Sequence, residues 1–206
     1  MEPWSGFYIG LLGGKTFATH EIHGDRGAYD ESRLEYYKLK PKPFVGGLLL
    51  GYKMEFEQTI LGIEADVLFG KKKDSFWHPN TAAPQYDNAG FVELGIHGTL
   101  TARLGYSFES ITPYVKGGLA WAHVKMQTGD LDGAAYDPSD FTSKKGVRAG
   151  WTIGGGVEYA INERFSIRAE YMYMDLGKYT TTNRDRDQFR HKMDMHSVRI
   201  GITYNF

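Results

Sequence analysis

Phe44-Val45-Gly46-Gly47-Leu48-Leu49-Leu50-Gly51-Tyr52-Lys53-Met54-Glu55-Phe56 reads with a period of two. Successive side chains of an extended strand point to opposite faces. Phe44, Gly46, Leu48, Leu50, Tyr52, Met54 and Phe56 therefore share one face, which is apolar with aromatic ends. Val45, Gly47, Leu49, Gly51, Lys53 and Glu55 share the other, which is small at first and then charged.

The same alternation recurs along the chain. Leu61, Ile63, Ala65, Val67 and Phe69 oppose Gly62, Glu64 and Asp66. Leu94, Ile96, Gly98, Leu100, Ala102, Leu104, Tyr106 and Phe108 oppose Glu93, Gly95, His97, Thr99, Thr101, Arg103 and Gly105. Trp151 to Tyr159, Phe165 to Tyr173 and Val198 to Phe206 repeat it, and 6–17 and 112–126 do so less cleanly. Eight strands result, near 6–17, 43–56, 59–70, 91–108, 112–126, 146–160, 164–176 and 195–206. Short turns at Glu57–Gln58, Glu109–Ile111 and Ile161–Glu163 alternate with long polar connections at 18–42, 71–90, 127–145 and 177–194. That alternation predicts antiparallel neighbours with every long loop at one end.

Composition narrows the class. With 206 residues the chain is read as a single domain, 1–206, and a net charge of −1 excludes a basic nucleic-acid binder. No cysteine is present, so disulfides, thiolate metal sites and a cysteine nucleophile are ruled out. Phe44 to Tyr52 is the longest apolar run, about half of what a membrane helix needs. Met1-Glu2-Pro3-Trp4 shows no basic segment followed by an apolar core, so no leader is read there; a leader already removed is the alternative.

Two architectures accept eight amphipathic antiparallel strands. A soluble barrel buries the apolar face; a membrane barrel turns it to lipid and keeps the polar face inside. Three features favour the second. The polar face is Gly and Ala punctuated by single charges, as a narrow lumen requires. Aromatics end the apolar face at Tyr52, Phe56, Phe69, Tyr106, Phe108, Trp151, Tyr159, Tyr171, Tyr173, Tyr204 and Phe206, where lipid meets water. A strand of about twelve residues tilted by about 45° spans roughly 28 Å, enough for an apolar band. The fold class is an all-β, eight-stranded antiparallel transmembrane up-and-down β-barrel.

Several stretches resemble one family. Trp4-Ser5-Gly6-Phe7-Tyr8-Ile9-Gly10 is similar to the first strand of the small opacity-type outer membrane proteins. So are Arg103-Leu104-Gly105-Tyr106, Gly150-Trp151-Thr152-Ile153-Gly154, Glu170-Tyr171 with Asp175 and Gly177, and Val198 to Phe206. The resemblance covers nearly the whole chain and includes the 25-kDa surface proteins of alpha-proteobacteria, some hemin-binding or adhesive. It implies a porin-like barrel, related to the OmpA transmembrane domain, crossing a Gram-negative outer membrane in many passes. It also implies periplasmic turns and extracellular loops. Phe206 resembles the terminal aromatic read by the barrel-assembly machinery.

Candidate chemistry starts inside. Lys53, Arg103, Lys116, Arg168 and Arg199 share the polar face with Glu55, Glu64, Asp66, Glu93, Glu158 and Glu170. Near-equal numbers of opposite charge in a narrow lumen imply a paired plug, since buried charges persist only when paired. The alternative is a gated ion or proton path. An enzyme is not expected. His196 and Ser197 are adjacent and so face opposite ways, beyond the hydrogen-bond reach a base and nucleophile need. His20-x-x-His23 and His191 with His196 have the chemistry for a metal or hemin iron, but no third ligand completes a site. No metal and no cofactor are expected, with hemin as the family's alternative.

The loops hold the remaining candidates. Loop 1 carries Tyr29, Tyr36 and Tyr37; loop 2 carries Lys71, Lys72, Lys73, Phe76, Trp77 and Tyr86; loop 4 carries Arg184, Arg186, Arg190 and Lys192. Aromatics with a basic rim suit an interaction surface for host molecules, and the lysines suit lipopolysaccharide phosphates. A solvated loop reads equally well. Acidic loop 3, with Asp130, Asp132, Asp137 and Asp140, lacks the spacing of a calcium loop. The functional expectation is a structural and adhesive surface protein, with a ligand binder or narrow pore as alternatives.

Overall fold

The computed structural model describes residues 5–25, 36–78, 88–130, 142–182 and 188–206. Ten strands follow one another: β1 (Gly6–Asp25), β2 (Tyr36–Leu39), β3 (Phe44–Phe56), β4 (Thr59–Phe69), β5 (Lys72–His78), β6 (Asn88–Tyr106), β7 (Ile111–Asp130), β8 (Thr142–Ala160), β9 (Phe165–Thr182) and β10 (Gln188–Asn205). Eight of them are staves in the order β1-β3-β4-β6-β7-β8-β9-β10, and β10 returns to pair with β1. The short β2 extends the sheet on β1, and β5 extends it on β6, both at the loop end. Every pairing is antiparallel. The seam runs without a register shift from Tyr8 opposite Asn205 to Asp25 opposite Gln188.

Alternation sets what each face meets. Leu48, Leu119, Val115, Ile63, Ile153 and Ile200 lie outside and are between 55% and 68% exposed, a fraction that only a lipid solvent makes favourable. Aromatic rings bound this belt. At the turn end Phe7 meets Tyr52 at 4.8 Å and Phe165 meets Tyr204 at 5.3 Å, centroid to centroid. At the loop end Trp151 meets Tyr173 at 5.4 Å, and the Lys15 ammonium lies 4.9 Å from the Phe44 ring. Glu57 and Glu109 adopt φ of 57° and 53° in the first two tight turns, the left-handed conformation short hairpins use.

The strands run further than the polarity of the loops suggests. β1 continues to Asp25 instead of stopping near 17, and β6, β7, β8, β9 and β10 lengthen likewise into a collar above the outer aromatics. There the outer face turns polar while the inner face buries Ala18, Val92, Val124 and Met193, so the apolar-outside, polar-inside alternation of the lipid-facing part is lost.

Two bulges interrupt the ladder. Between Leu94 and His97, β6 carries one residue more than β7, and Gly95 and Ile96 together face His123. An extra residue swaps the faces beyond it. Leu94 and Val92 are therefore fully buried inside, and Glu93 points outward, opposite to the faces expected from unbroken alternation. In β9, Leu176 and Gly177 stand against Met193, with Gly177 at φ 75°. Above that point the β8–β9 ladder has ended at Trp151 opposite Asp175, while β8 stays with β7 and β9 with β10.

Candidate functional site: the closed lumen and its collar

The inner faces of the staves fill the barrel in layers. Glu64 accepts hydrogen bonds from the Tyr8 hydroxyl at 2.8 Å, Lys116 Nζ at 2.5 Å and Arg168 Nη1 at 2.5 Å. Glu158 receives Lys53 Nζ at 3.0 Å, Arg103 Nη2 at 2.6 Å, Arg168 Nη2 at 3.1 Å and Ser166 Oγ at 2.8 Å. Glu170 meets Arg199 Nε at 2.9 Å, Lys116 Nζ at 3.0 Å and the Tyr114 hydroxyl at 2.9 Å. Asp66 closes the set with Arg199 Nη1 at 3.1 Å and Thr99 Oγ1 at 2.5 Å. All nine charged groups are at most 4% exposed. The Arg103 guanidinium also lies 3.7 Å from the Tyr114 ring centre, and Gly51 leaves the space that the Tyr8 ring occupies.

Toward the loop end the filling changes character. Thr16 Oγ1 bridges Ser197 Oγ at 3.2 Å and His97 Nε2 at 3.3 Å. Above them the lumen is apolar: Met172, Met174, Met193 and Met195 are fully buried with Leu94, Val92, Val124 and Leu176. Leu39 of β2 joins this cluster from the loop side. His191 Nδ1 and His20 Nε2 lie 3.2 Å apart, both buried. His20 stands three residues beyond Phe17, outside the apolar band, and burial first, then the Arg148 charge, lowers its pKa to about 4.

A closed antiparallel barrel with a lipid belt outside and a charged, filled interior defines an integral membrane protein of the outer-membrane class. The chain belongs to the outer membrane protein beta-barrel domain family, whose model matches residues 1–206. It is 32% identical over 211 residues to the 31 kDa outer-membrane immunogenic protein of Brucella melitensis, covering 98% of this chain and 84% of that protein. It is 27% identical to the 22 kDa outer membrane protein of Rhizobium leguminosarum, covering 98% of this chain and 78% of that one. In fold it is similar to OprG from Pseudomonas aeruginosa, with a TM-score of 0.60 at 16% identity over 98% of each chain. The chain crosses the outer membrane by its strands, with turns in the periplasm and loops outside.

Of the residues singled out in the sequence, Lys53, Glu64, Asp66, Arg103, Lys116, Glu158, Arg168, Glu170 and Arg199 meet in the lumen as described. Glu93 does not: the β6 bulge turns it outside, where Lys71 Nζ lies 3.3 Å away. Glu55 is half-buried near the turn end, its backbone N–H donating to Ser5 Oγ at 3.0 Å. His196 faces outward against the Tyr171 hydroxyl at 2.5 Å, while Ser197 is buried inside. The close histidine pair is His20 with His191, neither of the pairs that sequence spacing suggests. Phe206 is 74% exposed, and its backbone N–H donates to the Phe7 carbonyl at 3.0 Å.

Among the loop candidates, Tyr36 and Tyr37 lie in β2, Phe76 and Trp77 in β5, and Arg190, exposed, in β10. Tyr29, Tyr86, Arg184, Arg186, Asp132, Asp137 and Asp140 lie outside the described residues. Tyr8 and Tyr114 went unrecognised in the sequence because each sits in a strand whose two faces are both largely apolar. Tyr114 had one signal, an aromatic two residues from Lys116 on the same face, whereas Tyr8 shares its face with Gly10, Leu12 and Gly14 and had none.

Proposed function

We propose that this protein is a plugged outer-membrane barrel whose work is done at its surface, as a structural and adhesive protein with the collar and loops as interaction surface. The observation that carries this reading is the filled lumen. Nine buried, mutually paired charges lie under a layer of buried methionines, and Leu39 packs into that layer from outside. Among the described residues such an interior leaves neither an aqueous path nor a pocket for a solute. The extended β1–β2 and β5–β6 ladders instead support loops 1 and 2 above the membrane. Partners of this surface would be host-surface or envelope molecules, and Phe206 at the seam suits recognition by the barrel-assembly machinery.

The test pairs two measurements on one preparation. Planar-bilayer recordings are expected to give no steady conductance of porin size. Binding screens with host matrix proteins, with hemin alongside, are expected to find ligands that loop trimming removes. Steady nanosiemens-scale channels from the unmodified protein would move the pore reading to first place. Binding that survives trimming would move the site into the lumen or strand ends.

A further inference from the structure

On the outer wall of the collar one rung of the sheet runs Lys73–Glu93–Lys125–Lys145, from β5 across β6 and β7 to β8. Consecutive members are cross-strand partners about 4.8 Å apart, so the rung spans roughly 14 Å. The β6 bulge is what puts it outside. Lys71 adds its ammonium 3.3 Å from Glu93, which leaves four lysines around one carboxylate among the described residues. Lys125 and Lys145 stand directly opposite each other on the same face, an arrangement that repels unless an anion lies between. Lys73 lies over the Phe91 ring at 4.0 Å, held against the wall.

Height identifies the anion. Lys125 is two same-face positions beyond Trp121, with exposed His123 between them. At the usual strand rise and a tilt of about 45° that places Lys125 roughly 9 Å above Trp121, and the rung, perpendicular to the tilted strands, passes through this level with a rise of roughly 10 Å along its length. This is the layer where the phosphate-bearing sugars of an outer-leaflet glycolipid lie. We infer that the Lys71, Lys73, Lys125 and Lys145 rung is a lipopolysaccharide site that holds lipid A phosphates by charge-assisted hydrogen bonds. The inference rests on the outer-membrane location and is independent of whichever ligand the loops take.

The experiment uses the intact chain in nanodiscs with rough lipopolysaccharide, and counts lipid retained per barrel by native mass spectrometry. The triple variant Lys73→Gln, Lys125→Gln, Lys145→Gln is expected to lose at least about tenfold in affinity. A reference triple at Lys42, Arg164 and Lys178, also to Gln, removes the same charge elsewhere and is expected to retain binding. Enzymatically dephosphorylated lipid A is expected to bind the unmodified chain as weakly as the triple binds the phosphorylated form. Inorganic phosphate at 10 mM (about the strength of a common buffer) is expected not to displace the lipid. The heat-induced gel shift reports folding, and if the triple fails it, Lys125→Gln alone is expected to show about a threefold loss. Equal retention by the folded rung variants, equal binding of dephosphorylated lipid, or displacement by free phosphate would each overturn the site.

Discussion

Arg168 touches three carboxylates: Glu64 at 2.5 Å, Glu158 at 3.1 Å and Glu170 at 3.9 Å. Removing one partner of a buried pair leaves the rest uncompensated and typically costs about 3–5 kcal/mol. Arg168→Ala is expected to lower urea stability in vesicles by that order and to admit a small leak current. On the outside, Leu48 sits in the apolar belt between Leu11 and Val67. Leu48→Arg is expected to cost about 2–4 kcal/mol by the same assay, as for a cation near the bilayer midplane. His20 gives the pH response of the mouth. The folded state holds it neutral down to about pH 4, while the unfolded chain protonates it near 6.5. Its contribution is therefore complete above pH 6.5 and declines as pH falls toward 4, by up to about 3 kcal/mol. Hydrogen exchange of collar amides, corrected for intrinsic rate, is expected to rise over that interval in the unmodified protein and much less in His20→Leu.

At the scale of the strand, period two was legible wherever one face meets lipid, as in β3 and β4. Bulges were not, because Glu93 to Phe108 alternates in sequence straight through Gly95 and Ile96. Nothing in the residues themselves announces that a ladder has gained a member. Nor was the change from charge to methionine inside the lumen evident, since Met172 and Met174 on β9 read as gaps in a polar row. Met193 and Met195 complete the layer only when β10 is laid beside β9. The bulge is directly testable because the chain has no cysteine of its own. A membrane-impermeant maleimide applied to cells is expected to label Glu93→Cys quickly and Leu94→Cys hardly at all. The reverse order would restore unbroken alternation. The parting of β8 from β9 above Trp151 and Asp175 divides the collar into two leaves. Amides of 142–150 are expected to exchange faster than those of 112–124, whose ladders are paired on both sides.

For the molecule as a whole, the fold and its membrane were legible early because lipid enforces a rule that water does not. The ligand of the surface was not, because loops answer to partners rather than to packing. Replacing 26–35 and 79–87 by tight turns is expected to leave a barrel that still shifts on heating in SDS, since loop length itself contributes little to stability. The same replacement is expected to abolish binding to host or hemin ligands if the loops carry it.

The seam between β1 and β10 has a temporal consequence. Its partners, Tyr8 with Asn205 among them, are almost the whole chain apart in sequence. A growing polypeptide therefore has no access to its closing contact until β10 has been made. Until then two bare edges persist, each carrying backbone amides that hydrocarbon leaves unsatisfied. Partial barrels have no stable resting place in the bilayer, so insertion and circularisation become one event. The rate of appearance of the heat-modifiable form should thus depend on β10 far more than on any internal stave. A chain ending before Gln188 should accumulate outside the membrane instead of as a smaller barrel within it.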